Sequence, residues 1–212
     1  MFVAKRMTPN PTTIESTTTI ADASELMRKR NFRRLPVVDN GRLVGIITDR
    51  DLRTVTPSPA TTLSIFELNY LLAKMQVKDI MHKNVVTINV DATIEEAALV
   101  MSNHHIAGLV VMDGDAVVGI ITETDIFKSF VEIMGLKEGK TRFTFKVSNQ
   151  VGVLHDITRV FKDLGINISS LATYPVEGGA EMIIRFNAQN TDELAKRLTE
   201  IGYPPQHTVQ IG

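Results

Sequence analysis

Val44-Gly45-Ile46-Ile47-Thr48-Asp49-Arg50-Asp51 returns 74 residues later as Val118-Gly119-Ile120-Ile121-Thr122-Glu123-Thr124-Asp125. Extended outward at that offset, residues 3–52 align with 77–126 without a gap, and eighteen of the fifty pairs are identical. Met7/Met81, Ile14/Ile88, Ala23/Ala97 and Leu35/Leu109 are among them. A repeat this long and ungapped describes two copies of one folding unit.

Each copy reads as a short extended segment, a helix, a hairpin and a second helix. Thr93 and Glu96 have capping-box spacing, with Thr19 and Asp22 as the looser equivalent. Ile20, Ala23 and Met27 recur at i, i+3 and i+7, as do Ile94, Ala97 and Met101, so each helix has one face for a core. Leu35–Val38 and Leu43–Ile47 are strand-like about the turn residues Asp39-Asn40-Gly41, for which the second copy has Asp113-Gly114-Asp115. Pro57 and Pro59 break the pattern between the copies. Ser64 and Glu67 then cap a connecting amphipathic helix bearing Ile65, Leu68, Leu72 and Met75.

After Gly135–Lys140, a linker by composition, the periodicity changes. Phe143, Phe145 and Val147 alternate as a half-buried strand. Gly152 turns into a helix carrying Leu154, Ile157, Phe161 and Leu164, and residues 166–174 read as extended. Glu177-Gly178-Gly179 turns the chain into a strand with Met182, Ile184 and Phe186. Thr191 caps a last helix with Leu194, Leu198 and Ile201, and Thr208–Ile211 closes the unit. The order βαββαβ is a ferredoxin-like plan. The expected fold class is therefore α+β, divided as residues 1–56, 57–76 (connecting helix), 77–134, 135–140 (linker) and 141–212.

Composition excludes several functions. With 23 Lys+Arg against 24 Asp+Glu, the net charge of −1 offers no global field for nucleic acid or an anionic membrane. Zero cysteines exclude disulfides, thiolate metal sites and cysteine nucleophiles. No apolar run approaches the ~20 residues of a membrane span. Met1–Thr19 carries Lys5 and Arg6 without an apolar stretch after them, so a signal peptide is not expected and the cytoplasm is. His82, His104, His105, His155 and His207 have no partner at the spacing of an established metal or catalytic signature. Neither metal binding nor catalysis is expected.

The repeat resembles the CBS domain, through Thr12-Thr13-Ile14, Arg34-Leu35-Pro36-Val37-Val38-Asp39 and the Gly-Ile-Ile-Thr-x-x-Asp blocks at 45–51 and 119–125. The third unit resembles the ACT domain, through Asn149-Gln150-Val151-Gly152-Val153-Leu154 and Gly165-Ile166-Asn167-Ile168. Two CBS copies followed by ACT resemble the acetoin-utilisation accessory proteins of the AcuB type. The resemblance implies a regulatory CBS pair binding AMP, ADP, ATP, NAD or S-adenosylmethionine. It assigns the contacts to Thr13, Ile14, Arg33, Arg34, Pro36, Thr48 and Asp51 in copy one, and to Thr87, Ile88, Thr122 and Asp125 in copy two.

Thr48-x-x-Asp51 and Thr122-x-x-Asp125 admit two readings. The hydroxyl can donate to a phosphate at a helix N-terminus while Asp accepts from ribose. Alternatively, Thr caps the helix and Asp favours its dipole. Arg33 and Arg34 stand where CBS proteins touch phosphates, whereas copy two has Ala107 and Gly108, so the two sites should be unequal or one empty. Arg28, Lys29 and Arg30 suit a solvated helix end. In the ACT unit the resemblance implies either dimerisation or an amino-acid site at Asn149, Gly152, Val153 and Asn167, the glycine admitting a ligand carboxylate. A homodimer or higher homo-oligomer acting on a partner enzyme is expected. The alternative is a ligand-free oligomeric adaptor.

Overall fold

The structure is a computed structural model in which residues 1–55, 74–148, 150–188 and 190–210 are described. Most of the connecting helix expected over 57–76 lies outside the described residues, as does Asn149. The chain divides into two units, Met1–Ile126 and Phe127–Gly212.

In the first unit a short strand β1 (Thr8–Pro9) is followed by α1 (Ile20–Arg30), β2 (Arg34–Asp39), β3 (Arg42–Thr48) and α2 (Asp49–Val55). The second copy repeats this plan with β4 (Thr87–Asn89), α3 (Ile94–His104), β5 (Gly108–Asp113), β6 (Ala116–Thr122) and the first turn of α4 (Glu123–Ile133), the rest of which belongs to the second unit. Thr19 accepts from the Asp22 amide at 3.1 Å, and Thr93 forms the full capping box with Glu96. Both helices end at a residue in the left-handed region, Asn31 (φ 54°) and His105 (φ 52°), whose amides bond back to the last carbonyls. At the β2–β3 hairpin Asn40 and Gly41 both have positive φ, as a tight primed turn requires. Ile20, Ala23 and Met27 pack on Leu35, Val37 and Ile47, and Ile94, Ala97 and Met101 pack on Leu109, Val111 and Ile121.

The leading segments of the copies are exchanged. Val3 is fully buried in the core of copy two, and Val77 in that of copy one. Their amides donate to Ala92 and Thr18, each at 2.8 Å. β1 pairs with β6, while His82 bridges to Ile46 of β3. Met7 and Met81 then lie against the glycines of the opposite copy. A Cβ at Gly45 would come within 2.5 Å of the Met81 sulfur, and one at Gly119 would fall on that of Met7. Reciprocal exchange sets equivalent positions opposite one another about an approximate two-fold axis.

The second unit contains β7 (Thr141–Val147), α5 (Val153–Asp163), β8 (Ile168–Val176), β9 (Gly179–Phe186), α6 (Asp192–Glu200) and β10 (His207–Gln210). Its antiparallel sheet has the order β10-β7-β9-β8. Phe143, Phe145, Ile184 and Phe186 on one sheet face meet Ile157 and Phe161 of α5 and Leu194 and Leu198 of α6. Phe186 stands edge-on to Phe143 and Phe161, with ring centroids 4.9 and 5.1 Å apart.

Three local expectations are corrected. Val153, not Leu154, is buried at the start of α5, because the helix begins directly after Gly152 and is rotated accordingly. Ile201 is exposed just beyond α6. Thr191 occupies the N-cap position with near-helical backbone and no side-chain cap; Asn190 accepts from the Asp192 amide at 2.9 Å instead.

Candidate functional site

A cleft of about 370 Å³ opens where the copies face each other. One wall is the segment after α1, in which the left-handed turn at Asn31 presents Phe32, Arg33 and Arg34. The opposite wall comes from the end of β6 and the start of α4, with Thr122 and Thr124, while Thr12 closes one side. The volume falls within the range typical of small-molecule sites, roughly 300–1,000 Å³.

Arg34 is the central group. It is half-buried and lies against Gly108, the residue equivalent to it in copy two, so that a Cβ there would overlap its Nη1 and lie 2.7 Å from its Cζ. The axis therefore brings one arginine onto one glycine, and the missing side chain makes the room. Burial holds the guanidinium pKa below its usual value, while the carboxylates of Glu123, Asp49 and Asp125 pull the other way. One cation thus lies between the first turns of α2 and α4.

The Thr-x-x-Asp quartets close on themselves. Asp51 Oδ2 accepts from the Thr48 amide at 2.8 Å and from its hydroxyl at 2.7 Å, and Asp125 Oδ2 accepts from Thr122 at 2.9 and 2.7 Å. In this state the threonine protons are committed to carboxylates, so each hydroxyl presents lone pairs rather than a proton. In both copies the Asp carboxylate returns to the Thr amide, and in copy one the Asp51 amide also donates to Thr48 Oγ1 at 3.4 Å; the charged donors at the cleft wall are Arg33 and Arg34.

The two halves differ in what fills them. At the position of Thr8, which lines the open cleft, copy two has His82, whose Nε2 lies 3.0 Å from Asp51 Oδ1. Burial pushes the Asp51 carboxyl up, but the Thr48 hydroxyl and amide and His82 outweigh it, leaving a net depression. With Ala107 and Gly108 in place of the two arginines, and a histidine–aspartate contact at the position of Thr8, the two halves carry different side chains.

Of the other residues assigned by resemblance, Ile14 points into the copy-one core, its amide bonded to the Pro36 carbonyl. Pro36 is buried in β2, and Thr13 is exposed outside the cavity wall. Thr87 and Ile88 belong to β4, paired in parallel with β5 and likewise outside that wall. Thr12, with Asn10 and Pro11, lines the cleft instead. Phe32, an aromatic wall 37% exposed, was missed by sequence reasoning; its position between the helix cap and Arg33 was the available signal.

In the second unit Gly152 caps α5 with φ 100°, which favours glycine, and Val153 is buried beneath it. Asn167 is exposed just before β8, at the sheet end where Ile168 pairs with Phe186. Gly152 follows β7, at the end where Val147 pairs with Ala180. One chain does not bring Gly152 and Asn167 together. Among the described residues no group of three or more His, Cys, Asp or Glu could hold a metal ion, and no helix is long and apolar enough to cross a membrane.

The CBS domain family matches residues 3–57 and 77–132, and the ACT domain family matches 141–202. A CBS domain-containing protein from Dictyostelium discoideum is 35% identical over 136 residues, 63% of this chain and 94% of its own length. A protein described as an acetoin utilization protein (AcuB) from Vibrio cholerae superposes with TM-score 0.53 at 32% identity, over 65% of this chain and 96% of its own. The CBS domain pair of protein MJ0100, solved with 5′-methylthioadenosine and S-adenosyl-L-methionine, matches at TM-score 0.51 and 32% identity over 61% of this chain and 95% of its own. CBSX2, solved with AMP, matches at 0.52 and 27% over 62% and 97%. The chain belongs to the CBS domain family, as a tandem CBS pair followed by an ACT domain.

Proposed function

We propose that this protein is a regulator, not a catalyst, whose CBS pair binds a phosphate-bearing adenosine ligand such as AMP in the cleft between Arg34 and Thr122. The carrying observation is Arg34 laid over Gly108, a half-buried cation at the wall of an otherwise open cavity. Arg33 adds a second charge, Phe32 offers a face for a base, and the Thr122 hydroxyl offers an acceptor for a sugar hydroxyl. Asp125 acts through Thr122, which it holds in place. The complexes of the MJ0100 pair with two adenosyl compounds and of CBSX2 with AMP support this ligand class.

Occupancy would redistribute the charges around Arg34 and so alter the fit of the two copies, offering a changed surface to a partner enzyme in the cytoplasm. The likeness to AcuB favours a place in acetoin or acetyl-CoA metabolism. The ACT unit would serve as the dimerisation module of a homodimer; an amino-acid site using both Gly152 and Asn167 would draw on two chains.

Thermal unfolding with AMP, ADP, ATP, NAD and S-adenosylmethionine tests this. A ligand at 100 times its Kd adds about 2.7 kcal/mol. The expected result is stabilisation by AMP that Asp125→Ala abolishes and Asp51→Ala retains. No stabilisation by any of the five would refute the proposal in favour of a ligand-free adaptor.

A further inference from the structure

The ACT unit buries a positive charge that has no ion-pair partner among the described residues. Arg142 of β7 stands directly opposite Arg185 of β9, and like charges so placed repel. Both alternate with the core residues Phe143, Ile184 and Phe186, which puts them on the sheet face turned away from α5 and α6. Arg185 is only 7% exposed. Its hydrogen bond among the described residues runs from Nη1 to the Gly139 carbonyl, a long 3.4 Å, while Nε is buried without an acceptor. Burial first, and then the Arg142 charge, hold its pKa below the usual arginine value. Diagonally across on β7, Thr144 is 4% exposed, and its hydroxyl too is unpartnered.

Among the described residues no counter-ion is paired with this rung. No described carboxylate forms an ion pair with either arginine. On this face of β9 the nearest is Glu181, four residues away or about 13 Å along the strand, where it accepts from the Tyr174 hydroxyl. Leaving a charge buried and unpaired is among the costlier arrangements a fold can hold.

The surrounding backbone is shaped to this end of the sheet. Ser170, beside Arg185 on β8, donates to the Met134 carbonyl at 2.8 Å. Asn187 holds the next stretch, bonding the Glu138 carbonyl and accepting from the Lys140 amide at 2.9 Å. Where that loop touches the sheet it has glycines: a Cβ at Gly135 would lie 2.9 Å from Ser170 Cβ, and one at Gly139 would lie 2.8 Å from Arg185 Cβ. This stretch is thus closely fitted over Ser170 and Arg185.

We infer that the Arg142–Arg185 rung is a binding site for a small oxyanion, the carboxylate or phosphate group of a metabolite, gripped by the two guanidinium groups with Thr144 as an additional donor. Arg142, half-exposed, is the entry side. A ligand there would relieve the repulsion between the arginines and tighten the loop against the sheet, giving the ACT unit an input independent of the nucleotide cleft and of the loop at Gly152.

Phosphate could also reach Arg34, so the test uses the full chain carrying Arg34→Gln. Thermal unfolding and calorimetric titration with phosphate, acetate, malonate and glutamate, at ionic strength matched with chloride, separate the two sources of oxyanion. The expected result is a saturable rise in midpoint with phosphate or with at least one carboxylate, weakened tenfold or more by Arg142→Gln. Arg185→Gln should abolish the response while raising the anion-free midpoint, because it removes the buried charge. No saturable response to any of the four, or one that persists in Arg142→Gln, would overturn the inference.

Discussion

Arg34→Ala tests the cleft most directly. Arg34 is half-buried, lines the cleft and, among the described residues, has no hydrogen bond to the carboxylates around it. A hydrogen bond to a charged group contributes about 1.5–3 kcal/mol, so losing the arginine should weaken AMP roughly 10- to 150-fold. Adenosine, which lacks the phosphate, should bind the variant about as well as it binds the parent. Fold stability should change by no more than about 1 kcal/mol, since the neighbouring acids are at least partly solvated. Gly108→Ala makes the same test without removing a charge. Its new Cβ would overlap Nη1 and sit 3.0 Å from the Ile121 carbonyl, so the arginine must leave its seat. Isothermal titration of both variants with AMP and adenosine reads the result. If adenosine weakens as much as AMP, or if AMP is unaffected in both variants, Arg34 is not the phosphate anchor.

Three further predictions concern the frame around the cleft. The Asp51 carboxyl is held below its usual pKa in the folded state, so its stabilisation is present above the unfolded value of about 3.9 and is lost as pH falls through the folded one. Urea midpoints measured from pH 5 down to pH 3 should therefore fall more steeply for the parent than for Asp51→Asn, and equal slopes would refute this account. Val3→Ala should cost about 1.5–3 kcal/mol and should lower amide-exchange protection in β5 and β6 before β2 and β3, because Val3 belongs to the copy-two core; the reverse order would contradict the exchange of leading segments. His105 holds a left-handed cap that costs an L-residue about 1–2 kcal/mol. His105→Gly should accordingly raise the thermal midpoint, and more than Asn31→Gly does, because asparagine tolerates that region better.

The repeat made most of the architecture legible, because the periods of Ile20/Ala23/Met27 and Ile94/Ala97/Met101 and the Gly-Ile-Ile-Thr strands are local signals that survive in both copies. What stayed hidden was non-local. Nothing near Val3 or Val77 in sequence says which copy each will enter, and the reciprocal packing of Met7 on Gly119 and Met81 on Gly45 needs the two copies side by side. Asn167 and Gly152 are close in sequence order but sit at opposite sheet ends, since α5 runs the length of the sheet between them. The Thr-x-x-Asp quartets were ambiguous for a different reason. The same four residues can serve a ligand or cap a helix, and only the 2.7 Å hydroxyl–carboxylate bonds show where the proton lies in this state. The pairs that match between copies, such as Leu35/Leu109 and Thr48/Thr122, build and cap the frame. Three of the pairs that differ, Thr8/His82, Arg33/Ala107 and Arg34/Gly108, meet at the axis and the cleft walls. An arginine on both sides of that axis would crowd two cations into one space; a glycine on both would leave none. Divergence at these positions makes the two halves unequal and places the cations Arg33 and Arg34 at the wall of the described cleft.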